Sequence, residues 1–455
     1  MKAIKNNNSE VYLILLHVIL GVVIYSIPFS SILYSFLITI GTLFYVLSAK
    51  DKVYAILFSA AYVTSSEVFL RMTGGLLFYE LHKYMLIFLA LIGVFYSLNR
   101  VKGYVYLVST GLMLVGIIFT EYNVTENVRK MILFNLSGAI SLGIFAFYCY
   151  KKQISLQQLN KILFYAALPI VGMLTYMFLY TPDLKSVITG TGSSSQASGG
   201  FGPNQVATIL GFGIFIFMTR LILNKYKIKQ LLIEFSLLSL IAFRGLATFS
   251  RGGILAAFIA IFFFVVLIYF KGNKPVIIKI YKMLFLFALV GIGVWFYTVS
   301  QTSGMIENRY LNKNAAGVEK EDITTGRGDL IAIELQAFFE NPFMGIGVGK
   351  GKQYRFDRTG TLAASHNEMS RLVSEHGSLG IISFIILFFT PLLLRLQLRN
   401  NIYFYSFFLF WFLTINHSAM RIAFPSFIYG LCLLDVTYGD KKKKVLPKQN
   451  LEMTS

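Results

Sequence analysis

Seven side chains in this sequence have types and places that could do chemistry: Asn204, Arg251, Arg327, His366, Asn367, Arg371 and Glu375. Arg251 lies in Phe249-Ser250-Arg251-Gly252-Gly253, between two apolar runs. An arginine at the centre of a membrane helix costs about 2.5–3.5 kcal/mol on insertion scales, so its place needs a reason. It either snorkels at an interface or serves a ligand. Arg244, in the preceding run, reads as structural, paired with a carbonyl or an acid, and Arg421 and His417 read as anchors in a later turn. Arg327 precedes a stretch, 330–340, whose apolar positions leave Glu334 and Glu340 on another side before Pro342 stops it. That pattern predicts an amphipathic helix on or just above a membrane surface, and free N–H groups at its start favour an anion such as phosphate. His366 stands in Ser365-His366-Asn367-Glu368, with Arg371, Glu375 and His376 following. A lone exposed histidine is often only surface. Zinc is not indicated, because His-Glu-x-x-His is absent and His366 and His376 are not spaced as ligands on adjacent turns. The glycines from Gly345 to Gly351 lack the Gly-x-x-x-x-Gly-Lys-Ser/Thr spacing of a nucleotide loop, so close backbone packing or a flexible rim is the better reading.

The elements that must position these groups are membrane helices. Of 455 residues, 56% are hydrophobic and 14% charged, and the mean hydropathy is +0.66, far from the balance of a soluble globular chain. Apolar runs of roughly 17 to 20 residues recur, each able to cross a hydrocarbon core of about 30 Å. The candidate spans are 11–27, 30–48, 53–70, 84–98, 104–120, 131–150, 162–180, 205–223, 231–248, 254–270, 283–300, 379–394, 402–415 and 422–434. The expected fold is an all-α polytopic bundle of about 12–14 spans with a long, partly helical outer loop. The net charge of +20 sits in short loops, among them Lys50 and Lys52, Arg100 and Lys102, Lys225 to Lys229, and Lys441 to Lys444. The positive-inside rule makes those loops and both termini cytoplasmic. It leaves Glu121, Glu126, Asp183 and the segment 301–371 outside, together with all seven candidate residues. The basic excess is thus a topology signal, and no nucleic-acid partner is expected. Cys149 and Cys432, inside apolar runs, read as small buried hydrophobes.

The chain divides into N-terminal membrane helices (1–180), a Gly/Ser-rich outer loop (181–204), helices carrying the Ser-Arg-Gly-Gly motif (205–300), a long outer loop (301–372), C-terminal helices (373–436) and a basic tail (437–455). The stretch 190–200 reads as a mobile outer loop.

Three stretches resemble the polytopic O-antigen ligases and the related O-antigen and capsule repeat-unit polymerases. They are Thr248-Phe-Ser-Arg-Gly-Gly-Ile254; Gly326-Arg327 leading to Asn341-Pro342-Phe343-Met344-Gly345-Ile346-Gly347; and His366-Asn367 followed after nine residues by Gly377-Ser378-Leu379-Gly380. Phe201-Gly202-Pro203-Asn204-Gln205 is similar to the family's Asn-containing entry to a helix. The resemblance spans roughly 200–380. It implies transfer of a glycan from an undecaprenyl-diphosphate carrier to an acceptor hydroxyl, on the outer face of a bacterial cytoplasmic (inner) membrane and without nucleotide sugar, metal or other cofactor. Partners would be that donor, lipid A core or a growing glycan as acceptor, and membrane lipids. Under this reading Arg251 and Arg327 hold the departing diphosphate, and His366, with an ordinary pKa of about 6.5, takes the acceptor proton with inversion at the sugar. Asn204, Asn367, Arg371 and Glu375 become substrate-binding candidates. Ligase comes first and polymerase next. A lipid-linked sugar transporter is the alternative of another class, though transporters place ionisable groups near the midplane, often in repeated halves.

Overall fold

The computed structural model describes residues 8–97, 102–122, 127–322, 326–360, 362 and 364–438. Arg100, Glu126, Lys441 to Lys444 and most of the basic tail lie outside the described residues.

Every predicted span coincides with a helix. In order they are α1 (Asn8–Ser26), α2 (Phe29–Ser48), α3 (Lys52–Met72), α4 (Leu81–Phe95), α5 (Tyr104–Ile118), α6 (Val128–Cys149), α7 (Leu156–Tyr180), α8 (Pro203–Leu223), α9 (Ile228–Ala247), α10 (Arg251–Lys271) and α11 (Lys274–Gln301). Next come three short helices of the long segment: α12 (Met305–Tyr310), α13 (Arg327–Glu340) and α14 (Gly351–Thr359). The chain then returns through α15 (Glu368–Gln397), α16 (Phe404–Ser418) and α17 (Phe424–Cys432). Among the described residues ten helices are long and apolar enough to cross a membrane, and α4 and α5 are shorter apolar helices. The difference from the sequence count lies in α4, α5, α16 and α17. The last, at nine residues, rises only about 14 Å at 1.5 Å per residue. Ahead of it the backbone is irregular, and the buried Glu67 carboxylate accepts the Ala423 N–H at 2.6 Å, satisfying a donor that lipid could not. The fold is an all-α polytopic bundle. Its two short strands, β1 (Gln153–Ser155) and β2 (Asp435–Thr437), pair in parallel, a clasp that hydropathy could not announce.

Helix α8 sits at the centre, with 94% of its apolar window buried, whereas α11 has 6% buried and faces outward. Lipid removes most of the hydrophobic gain from helix pairing, so contact rests on small residues and hydrogen bonds. Ser109 shares a bond with Ser383 at 2.6 Å, and Ser141 with Ser426 at 2.7 Å. Arg244 donates to the carbonyls of Met177 and Thr181 at 2.6 Å each, the structural pairing its sequence context suggests.

Candidate active site

Between α9 and α10 the chain turns sharply. Phe249 takes a left-handed backbone, φ 58°, a conformation that costs a bulky residue about 1–3 kcal/mol unless its surroundings enforce it. Here they do. Arg309 Nε donates to the Phe249 carbonyl at 3.2 Å, and the Ser250 N–H donates to Thr248 Oγ1 at 3.2 Å. Ser250 Oγ donates to Asn204 Oδ1 at 2.7 Å, which ties the start of α8 to the turn. The two glycines that follow let α10 approach its neighbours. A Cβ on Gly253 would lie 2.3 Å from the Ala207 carbonyl carbon of α8, and one on Gly252 would lie 2.5 Å from His417 Cγ of α16. Arg251 is thereby fixed, half-buried, on the first turn of α10. His417 is buried beneath that turn and bonded to Thr208 Oγ1 at 3.1 Å. It is a packing residue of the site and not a surface anchor.

Helix α12 brings in Arg309. Ile306 is fully buried in a small second core with Phe243, Phe249, Leu184, Ile188 and Ala197. The Gly/Ser-rich loop belongs to that core. Thr181 Oγ1 donates to the Gln196 carbonyl at 2.7 Å and the Ser194 N–H to the Thr248 carbonyl at 3.2 Å. Within the stretch read as a mobile loop, Ser198 Oγ donates to the Ser194 carbonyl at 2.6 Å, the Ala197 N–H donates to Ser194 Oγ at 3.1 Å, and Ala197 is buried. Arg327 is the first residue of α13, after Gly326 at φ 77°. Burial, then the charges of Arg251 and Arg327, hold the Arg309 guanidinium below its ordinary pKa. Burial and then Arg251 do the same to Arg327. Three arginines from three separate stretches thus stand in one another's field.

His366 is half-buried immediately before α15. Burial first, then Arg421, Arg327 and Arg355, push its imidazole down to about 4 from 6.5, so it is neutral at pH 7. Asn367 is the N-cap of α15, its side chain accepting the Ser370 N–H at 3.1 Å. Gly377, at φ 58°, breaks α15, and a Cβ there would lie 2.6 Å from the Gly345 nitrogen. The glycine run packs over this break, with the Ile346 N–H donating to the Ser374 carbonyl at 2.9 Å. Close backbone packing explains those glycines. Helix α13 turns Glu334 inward, where it accepts from Arg355 Nη1 of α14 at 2.5 Å and from Ser370 Oγ of α15. Phe339 is left 76% exposed, and Glu340, expected on the same side as Glu334, is exposed too and pairs with Arg358 at 2.6 Å, so only Glu334 turns to protein.

Arg371 and Glu375 stand elsewhere. Arg371 is buried between Glu368 and Glu375, the latter at 2.8 Å, and donates to the Asn135 carbonyl at 3.0 Å. Both residues line a neighbouring cavity of about 240 Å³ that Arg355 and Arg421 also border. The structure therefore couples Arg251 to Arg309 and Arg327, and Arg327 to His366, ties Asn204 to Ser250 beside Arg251, makes Asn367 a helix cap, and puts Arg371 and Glu375 in the floor of a second space. Arg309 was not singled out from sequence. Its signal, an arginine in Met305-Ile306-Glu307-Asn308-Arg309-Tyr310 just after a membrane helix, is indistinguishable from an ordinary interfacial anchor until the fold sets it against Phe249.

No curated protein matches the chain. Residues 235–385, running from within α9 through Arg251, Arg309, Arg327 and His366 into α15, match the family model described as O-antigen ligase. Over that segment, about a third of its length, the chain is similar to the O-antigen ligases.

Proposed function

We propose that this multi-pass bacterial membrane protein transfers a glycan from an undecaprenyl-diphosphate carrier to an acceptor hydroxyl, as an O-antigen ligase whose acceptor is lipid A core. The observation that carries the reading is that Arg251, Arg309 and Arg327 stand in one another's field and that Arg327 also acts on a neutral His366. The reaction needs these two things. As the acceptor oxygen attacks the anomeric carbon, the bond from that carbon to the diphosphate breaks and its electron pair leaves with the phosphate. The acceptor proton passes to the free ring nitrogen of His366. Planar guanidinium forks suit the leaving oxygens, and a fixed donor aimed at developing charge supplies roughly 3–4 kcal/mol. These arginines stand in for a metal, and a single displacement inverts the sugar.

By the positive-inside reading the site faces the periplasm or exterior of the cytoplasmic membrane, with both termini cytoplasmic. A repeat-unit polymerase would use the same donor and groups with a growing glycan as acceptor. The test incubates the purified protein with an undecaprenyl-diphosphate-linked repeat unit, with and without lipid A core, and resolves products by size. Transfer only when core is present supports the ligase. A ladder from donor alone makes the protein a polymerase. No product from verified folded protein with varied donors would favour a lipid-linked sugar transporter.

A further inference from the structure

The cavity on the Arg421 side of His366 has no part in the chemistry above. Its floor is charge-balanced, because Arg371 pairs with Glu368 and Glu375, and Arg355 with Glu334. Its mouth is not. Lys130 on the first turn of α6, Lys352 on the first turn of α14 and Arg421 between α16 and α17 all line it. Among the described residues none of these three has an acidic partner. Lys352 Nζ stands 5.1 Å over the Phe134 ring, and the Arg421 guanidinium stands 5.9 Å over the same ring. Burial, then Arg421, Arg355 and Lys130, hold the Lys352 ammonium below its ordinary pKa. Like charges gathered at one opening raise the free energy of the empty protein, and an anion placed among them recovers it.

The position of the opening indicates which substrate brings that anion. Arg421 Nη2 donates to the Ser365 carbonyl at 2.5 Å, one residue before His366. The imidazole feels both Arg327 and Arg421. If the diphosphate occupies the Arg251, Arg309 and Arg327 group, the separate cavity beside the base, lined by Ser365 and Arg421, is left for the acceptor. At about 240 Å³ the cavity is smaller than a site for a drug-sized ligand, roughly 300–1,000 Å³, and suits one substituted sugar ring. We propose that this cavity binds an anionic substituent, a phosphate or carboxylate, on the acceptor glycan and so sets the acceptor hydroxyl against His366. The proposal rests on the transferase reading above.

The test uses the full chain in phosphatidylcholine nanodiscs with two photoreactive probes of equal size, an octyl glucuronide and the neutral octyl glucoside. The glucuronide is expected to label the peptides around Lys130, Lys352 and Arg421, and about 0.5 M salt is expected to weaken it. Lys130→Ala with Lys352→Ala, both at exposed positions, lowers that labelling roughly fivefold, two screened pairs' worth, and leaves glucoside labelling unchanged. In the transfer assay the same pair of changes raises the acceptor KM and spares the donor KM. Equal labelling by the two probes overturns the proposal. So does loss of glucuronide labelling when phosphatidylglycerol replaces phosphatidylcholine, which assigns the cavity to lipid headgroups. An unchanged acceptor KM in the double variant sinks the acceptor assignment alone, whereas normal transfer by Arg251→Ala sinks the transferase reading and leaves the labelling intact.

Discussion

The two cationic regions that flank His366 are built differently. On one side all three charges are arginines: Arg251 on a turn pinned by Gly252 and Gly253, Arg309 bonded to the Phe249 carbonyl, and Arg327 at the head of α13. On the other, two of three are lysines at exposed positions on helix first turns, and the third is Arg421. A rigid planar fork rewards one geometry, which suits charge that develops at a fixed leaving oxygen. A flexible point charge tolerates many geometries, which suits holding a ground-state anion. The difference predicts that the first region acts on kcat and the second on the acceptor KM.

The largest effects should separate the regions most sharply. His366→Ala is expected to lower kcat about 10²–10⁴-fold with donor binding retained. Arg251→Ala and Arg327→Ala are each expected to lower it about 10²–10³-fold. Single-turnover assays on variants of verified fold check all three. Should Arg251→Ala change only KM, the arginine group would be a docking site like the cavity, and the contrast between the regions would fail.

Much of the contrast was not legible in the sequence. Every membrane helix was, because a run of apolar residues must be long to cross a bilayer and its length is read directly. Arg251, Arg327 and His366 were legible as candidates because each is a charged or titratable group beside a motif. Their meeting was not, since it depends on Gly253 lying against Ala207 and on Glu334 drawing α13 toward α14 and α15. Glu334 reads as solvent-facing by periodicity, and a buried pair has no local pattern. Arg309, Lys130 and Lys352 are lone basic residues near helix ends, and only tertiary structure tells an anchor from a site. The order within the serine-rich loop was hidden because its bonds run from side chain to backbone, which composition does not show.

Glu334 tests whether the regions share a support. It holds Arg355 of α14, the helix that carries Lys352, and sits on α13, the helix that begins with Arg327. Glu334→Ala leaves Arg355 buried without that partner, a loss of about 3–5 kcal/mol for a broken buried pair. Thermal unfolding and hydrogen exchange are expected to show α13 and α14 loosening together, with donor and acceptor KM both raised. Exchange confined to α13 would mean that the regions are supported separately.

The smallest effect, and the finest test, is in pH dependence. In the free protein His366 has a pKa of about 4 against an ordinary 6.5, so kcat/KM should hold through pH 6 and fall only as the pH nears 4. A bound diphosphate offsets the arginine charges, so the acid limb of kcat should lie above that of kcat/KM. The same depression works on stability: between about 6.5 and 4 the unfolded chain binds the proton and the native site does not, so stability is lost as pH falls through that window. Because both regions press on the imidazole, Arg421→Gln and Arg327→Gln should each raise the kcat/KM limb by an amount of order half a pH unit. A limb that moves with Arg327→Gln and stays still with Arg421→Gln would place His366 in the field of the arginine group alone, and the cavity would then have no hold on the base.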